Sequence, residues 1–222
     1  VFEGGFAGAL ITALTGIEIA LWDLKGKALG VPIYELLGGK FRDDIRVYCD
    51  CEVSPGMNMD EVQREIDTVL EAGFTALKVD LDIRAYGHTG TETGWYIKDN
   101  FNMTPNKWEH DRMVQLAEMV VKAAGKDVDV ACDLHTRLDK HSAIRLCKDL
   151  EHLQLMWLEE PIPPENIGVM AEITKSTSVP ICGGENLYLR HGFREVFEKQ
   201  ALDIIMPDIP KCGGLSECRK IA

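Results

Sequence analysis

Three acidic residues each close an apolar run: Asp133 after VDVAC, Glu159 after LMWL, and Glu185 after VPICGG. They recur at 26-residue intervals, 159−133 and 185−159. Each interval holds one strand and one helix of a β/α repeat, and carboxylates at the tips of consecutive parallel strands converge in space. Three hard oxygen donors suit a hard divalent cation such as Mg²⁺. A single acidic residue at a strand end is most simply a solvated loop carboxylate. Three in succession are much harder to obtain by accident.

Further residues could serve that centre. In Asp133-Leu134-His135 the first and third residues share a face, since strand side chains alternate. A histidine beside a metal ligand can move protons near neutral pH; the alternatives are a loop histidine without a role or a fourth ligand. Alternation, with the 26-residue interval, also selects Glu159 over Glu160. Lys78 and Asp80 end the run Leu77-Lys78-Val79-Asp80 and share a face. Lys78 could neutralise a substrate carboxylate and Asp80 could bind a hydroxyl; a surface ion pair is the bland alternative. Asp208 closes a later run, 23 residues after Glu185 (208−185), at the next equivalent place.

The elements that must hold these residues read in strict alternation. Residues 8–29 read as a helix, with Ile11, Leu14, Ile17, Leu21 and Leu24 at helical spacing. A Gly-Val-Pro break follows, then a short helix over 33–37. From about Ile45 six strands alternate with helices: IRVYCDCEV, FTALKVDLD, VDVACDL, LMWLEE, VPICGGE and LDIIMP. A long polar segment, from Ile83 to about Lys107, separates the second strand from its helix. Loops of that length in compact domains tend to be functional or disordered. Tyr86, His88, Trp95 and Tyr96 within it could contact sugar hydroxyls; a polar surface excursion fits as well. LSECRKIA begins another helix.

Strict alternation predicts a parallel sheet with helices outside it. The Gly-Gly pairs at 183–184 and 213–214 form neither a dinucleotide fingerprint nor a phosphate loop, and acidic strand tips favour a barrel over an open sheet. A barrel of eight strands would need two more than the six counted, so the reading treats the chain as part of a longer protein.

Bulk properties bound the rest. The 222 residues carry 24 basic and 36 acidic side chains, a formal charge of −12, which argues against a nucleic-acid binder. The seven cysteines lie mostly inside apolar runs without zinc-like pairing, as expected of reduced thiols in a cytoplasmic protein. The apolar start carries Thr12, Thr15, Glu18 and Asp23, so it reads as an amphipathic helix and no membrane partner is expected.

These pieces together, GIEIALWDLKGKALGVPIYELLGG, CDLH, WLEEPIPPEN, GGEN and PDIPKCGGLSE, resemble the enolase superfamily, in its mandelate racemase and muconate-lactonizing subgroup. The resemblance implies an α/β fold: a modified (β/α)₇β TIM barrel, here about six β/α units, after an α+β capping domain. Residues 1–44 would be the last helices of the cap and 45–222 the partial barrel. It implies Asp133, Glu159 and Glu185 as Mg²⁺ ligands. Asp-x-His on the third strand looks like the sugar-acid dehydratases acting on gluconate, galactonate or arabinonate, in which His135 maps onto the general acid. Asp208 maps onto an Asp that orients a seventh-strand His base, which would lie beyond Ala222. Where the racemases and lactonizing enzymes carry Lys-x-Lys, this chain has Lys78-Val79-Asp80, which argues against racemase or epimerase chemistry. A catalytically inactive metal-binding homologue is a further alternative.

The implied reaction is a hydro-lyase step. The proton α to a carboxylate is removed, the metal stabilises the developing charge, and His135 protonates the departing 3-hydroxyl. A 2-keto-3-deoxy acid results. A small sugar acid is the expected partner, Lys78, Asp80, Tyr86 and Tyr96 its candidate contacts, and a homo-oligomer the expected assembly.

Overall fold

A computed structural model describes residues 7–54, 56–82 and 103–222. Tyr86, His88, Trp95 and Tyr96 lie outside them. The expected alternation is what the chain adopts. Helix α1 (Ala9–Leu29) and the single turn α2 (Ile33–Leu36) precede β1 (Cys49–Cys51), α3 (Met59–Glu71) and β2 (Ala76–Asp80). Then follow α4 (Lys107–Ala124), β3 (Asp129–Asp133), α5 (Lys140–Leu150), β4 (Trp157–Glu159) and α6 (Ile167–Lys175). The chain continues through β5 (Ile181–Gly183), α7 (Leu189–Lys199), β6 (Ile204–Ile205), α8 (Ile209–Cys212) and α9 (Leu215–Ile221). The strands form one sheet in the order β1-β2-β3-β4-β5-β6, and the ladders from β1 to β5 are parallel.

Local chemistry sets the helix starts. Asn58 and Asn106 each cap a helix and are answered by Glu61 and Glu109 in reciprocal capping boxes. Asp139 accepts the Ser142 N–H at 2.9 Å and Asn166 that of Val169 at 3.1 Å. A short helix, α8, follows the sixth strand directly. Asp208 caps it by accepting the Lys211 N–H at 3.3 Å, and Pro210 sits in its first turn, where no amide hydrogen is missed. The first strand is shorter than its alternating pattern: only Cys49–Cys51 pairs, and Ile45 and Val47 are exposed. In α1 it is Ile11, Thr15 and Gly26 that are buried, while Ile17, Leu21 and Leu24 are exposed.

The chain groups into two compact units. One comprises residues 47–182 and 201–204, hence β1 to β4 and α3 to α6. Its sheet is covered on both faces: Leu77, Val79, Ala131, Cys132, Leu158, Ile181 and Cys182 are all inaccessible to solvent. Such double burial is the rule for parallel strands. The other comprises residues 1–46, 183–200 and 205–222. There Phe193, Cys212 and Ile221 form a small core. The Glu18 carboxylate accepts the backbone N–H groups of Leu215 and Ser216, each at 3.0 Å, and so holds α1 to the start of α9. Gly214 admits this only because it lacks a side chain: a Cβ there would lie 2.2 Å from Glu18 Oε2, and its φ is +86°.

Candidate active site and metal centre

The parallel register lines up one row of residues across the sheet. Asp80 pairs with Asp133, Asp133 with Glu159, and Glu159 with Cys182. Asp80, Asp133 and Glu159 are each the last residue of their strand. Their side chains therefore emerge side by side at the carboxyl edge of the sheet, where parallel α/β folds bind ligands.

One pleat below this row stands Lys78, in register with Ala131 and, through it, Trp157. The small Ala131 leaves room for the lysine stem to pass across β3. Its ammonium reaches Asp133 Oδ2 at 2.6 Å and Glu159 Oε2 at 3.2 Å. All three groups are buried, Glu159 to 1% exposure and Asp133 to 3%. Glu159 Oε2 also accepts the indole N–H of Trp157 at 3.1 Å, and the Tyr48 ring packs edge-on against that indole at 5.4 Å. Burial works against the Lys78 charge, but the hydrogen bond and charge of Asp133, followed by Glu159, hold its pKa well above the usual lysine range. Burial and the neighbouring Asp133 push Glu159 upward, opposed by Lys78.

His135 follows β3 in a left-handed turn, with φ of 44° at His135 and 63° at Thr136. Both are non-glycine residues in a sparsely populated region, a pattern that concentrates at functional sites. The turn is held by the His135 N–H donating to Asp133 Oδ1 at 2.9 Å and by the Thr136 N–H donating to the Glu160 carbonyl at 2.7 Å. It directs the imidazole back over the row. Nδ1 lies 3.1 Å from Asp82 Oδ1, and Nε2 lies 3.8 Å from both Asp80 Oδ1 and Asp133 Oδ2. The Asp82 hydrogen bond is the largest influence on the ring; it outweighs burial and, with Asp133 and Asp80, raises His135 to about 9. Burial raises Asp80, against the pull of His135.

The fold thus brings together Lys78, Asp80, Asp133, His135 and Glu159 from the sequence reading. It adds Asp82, a buried carboxylate the reading did not single out. The signal was available: Lys78, Asp80 and Asp82 continue one period-two series. Glu160 turns off the strand with φ of 37° and is buried, its N–H bonded to the Cys182 carbonyl at 3.0 Å. Glu185 sits in the turn after β5, two residues beyond the strand end rather than on it, and belongs to the second unit. Asp208 is in that unit as well, serving as the α8 cap with the Lys211 ammonium 3.7 Å away.

The donor chemistry fits a hard cation. Asp133 and Glu159 already share one positive group, the Lys78 ammonium, between buried carboxylate oxygens, and such oxygens favour Mg²⁺, Mn²⁺ or Ca²⁺ over softer ions. Asp80, Asp133 and His135 form a second grouping whose donor atoms lie within 4.8 Å of one another. Burial pushes the Cys147 thiol up to about 12 and those of Cys132 and Cys182 higher still. No described helix is long and apolar enough to cross a membrane.

Known proteins supply a frame for this geometry. The family profile described as enolase C-terminal domain-like matches residues 61–222, and that of the mandelate racemase/muconate lactonizing enzyme N-terminal domain matches residues 3–38. The D-xylonate dehydratase of Haloferax volcanii is 44% identical over 221 residues, 99% of this chain and 52% of its own length. A D-galactonate dehydratase of Variovorax paradoxus is 34% identical over 221 residues, again 52% of its length. The chain therefore spans about half the length of the curated relatives it matches. A mandelate racemase/muconate lactonizing enzyme-like protein from Rubrobacter xylanophilus superposes with a TM-score of 0.85 at 43% identity, over 100% of this chain and 58% of that one. The 3,6-anhydro-D-galactonate cycloisomerase of Zobellia galactanivorans superposes with a TM-score of 0.80 at 30% identity, over 99% and 54%.

Proposed function

The chain belongs to the mandelate racemase/muconate lactonizing enzyme family of the enolase superfamily, and from that premise we propose that it carries the metal-binding and acid-bearing part of a Mg²⁺-dependent sugar-acid dehydratase. The substrate class is an aldonate, and the product a 2-keto-3-deoxy acid. Asp133 and Glu159 would hold the cation, with Glu185 as the third ligand. When bound, Mg²⁺ supplies positive charge to a substrate carboxylate whose neighbouring C–H is to be deprotonated. In this reading residues 1–44 are the last helices of a capping domain and 45–222 belong to the barrel.

One observation carries the assignment: the His135 imidazole is held by Asp82 and aimed over the Asp80–Asp133 edge. A proton on Nε2 then faces the side of the row where a substrate hydroxyl would lie, within reach of the metal-binding carboxylates. Asp82 steadies the ring during proton transfer, and Asp80 is available to accept a hydrogen bond from a neighbouring hydroxyl. Lys78 bridges Asp133 and Glu159 and holds the two carboxylates together. The similarity to xylonate and galactonate dehydratases supports the same reading. The Lys78-Val79-Asp80 series supports dehydration over racemisation, because a carboxylate stands where a lysine base would be needed.

The test uses the protein expressed from its complete gene, assayed for 2-keto products across a panel of aldonic and aldaric acids with Mg²⁺. His135→Asn should lower turnover of the best substrate by about 10²-fold or more, the usual share of a general acid, with Mg²⁺ affinity nearly unchanged. Absence of turnover across the panel, or full turnover by the variant, would overturn the assignment.

A further inference from the structure

Beside the oxygen pair that holds the Lys78 ammonium lies a donor set of different character. Asp80 Oδ1 and Asp133 Oδ2 each stand 3.8 Å from His135 Nε2, and the three donor atoms fall within 4.8 Å of one another. A tetrahedral ion with bonds of about 2.1 Å separates its ligands by about 3.4 Å. Closing the gap from 3.8 Å is within ordinary side-chain movement.

A second, independent feature points to coordination. Ligating histidines almost always direct their other ring nitrogen to a carboxylate or carbonyl, which fixes the tautomer and sharpens the free nitrogen as a donor. His135 has that arrangement: Asp82 Oδ1 lies 3.1 Å from Nδ1, and Asp82 is buried to 6% exposure. Arg137 Nε stands 4.0 Å from the other Asp82 oxygen. The ring is therefore locked with Nε2 toward Asp80 and Asp133. Its backbone is fixed too, through the N–H bond to Asp133 Oδ1. The Lys78 ammonium competes for Asp133 Oδ2, but a carboxylate oxygen has capacity for a second partner.

We propose that Asp80, Asp133 and His135 form a second metal site, selective for a borderline divalent transition ion such as Co²⁺ or Zn²⁺, with Asp82 as the outer carboxylate that orients His135. An imidazole nitrogen with two carboxylates suits those ions better than Mg²⁺, which takes oxygen donors and keeps its waters. The site shares Asp133 with the oxygen set, so the two cations compete. Occupancy ties up Nε2 and removes the proton donor; that consequence rests on the dehydratase reading, whereas the site itself does not.

Co²⁺ is the probe. Added to the protein expressed from its complete gene, it should produce a strongly displaced, solvent-exchangeable imidazole N–H resonance in the proton NMR spectrum, arising from Nδ1–H held by Asp82. The signal should vanish in His135→Asn and survive in Glu159→Gln. Asp82→Asn should weaken Co²⁺ binding by about 10–100-fold, the usual cost of losing such an outer partner, with the far-ultraviolet circular dichroism unchanged. Saturation with Co²⁺ without a displaced exchangeable resonance, or its persistence in His135→Asn, overturns the proposal. Because no step of this test measures turnover, its failure is distinct from a failure of the dehydratase assignment.

Discussion

Replacing Lys78 by Met removes the one cation lying between two buried carboxylates among the described residues, and the structure sets the size of the effect. At 2.6 and 3.2 Å, with an effective dielectric constant of about 20, the gross attractions are about 6 and about 5 kcal/mol. Most of that is offset by the cost of taking three charges out of water. The measured consequence of deleting one partner from a buried ion pair is about 3–5 kcal/mol, because the remaining charge is left uncompensated. Here two carboxylates remain, and Met fills the lysine stem without replacing its charge. In metal-stripped protein Lys78→Met should therefore lower the unfolding free energy by about 3–5 kcal/mol. Mg²⁺ should restore much of this loss, because an ion that binds only the folded state stabilises it by about 2.7 kcal/mol at a hundredfold excess over its dissociation constant. Urea unfolding followed by circular dichroism, with EDTA and then with saturating Mg²⁺, measures both quantities. A variant as stable as the parent in EDTA, or one stabilised by Mg²⁺ no more than the parent, would refute the electrostatic account of this centre.

Two further outcomes follow from the second unit. Burial raises Glu18, but hydrogen bonds from Ser216, Trp22 and Leu215 hold it below its ordinary value of 4.5 overall, and Glu217 is held low against burial chiefly by Arg190. Their stabilisation is complete above the ordinary value and is lost as pH falls below it through the depressed folded value. Urea midpoints measured down into that acidic range should drop for the parent and drop less for Glu18→Gln. Gly214→Ala should destabilise by about 1–3 kcal/mol from backbone strain, with more from the clash with Glu18, whereas Gly30→Ala, whose Cβ would meet nothing within 4 Å, should cost less; equal melting shifts for the two would contradict this.

How much of this was legible in the chain depended on the range of the interaction. Alternating apolar runs and helical spacing are local, so the six strands and their helices could be read directly. Helix α8 could not, because four residues carry no periodicity; the Asp208 cap and Pro210 define it. The start of α4 is likewise set by the Asn106–Glu109 box rather than by an apolar residue. The apolar spacing along α1 located the helix but not its buried side, which depends on what packs against it. At the site, Asp133 and Glu159 were readable as the ends of apolar runs, and His135 through its spacing from Asp133. The bridge from Lys78 to residues 55 and 81 positions away was not, being a tertiary fact. Asp82 is the last residue of the run FTALKVDLD, one step before the polar segment, and nothing in its local pattern marks it as buried. That Glu185 follows its strand end by two residues, while Asp133 and Glu159 end theirs, is a matter of ladder length, which an even interval conceals.

The register row has one more consequence. Asp133 and Glu159 are neighbours because β3 and β4 pair in the register that sets them opposite each other. A slip of one residue would swing one carboxylate to the opposite face. A divalent ion that requires both therefore binds only those chains whose ladder has closed correctly. During folding it acts as a selector, drawing population away from misaligned sheets by mass action. For this protein the cation would be a quality check on assembly as well as an instrument of chemistry.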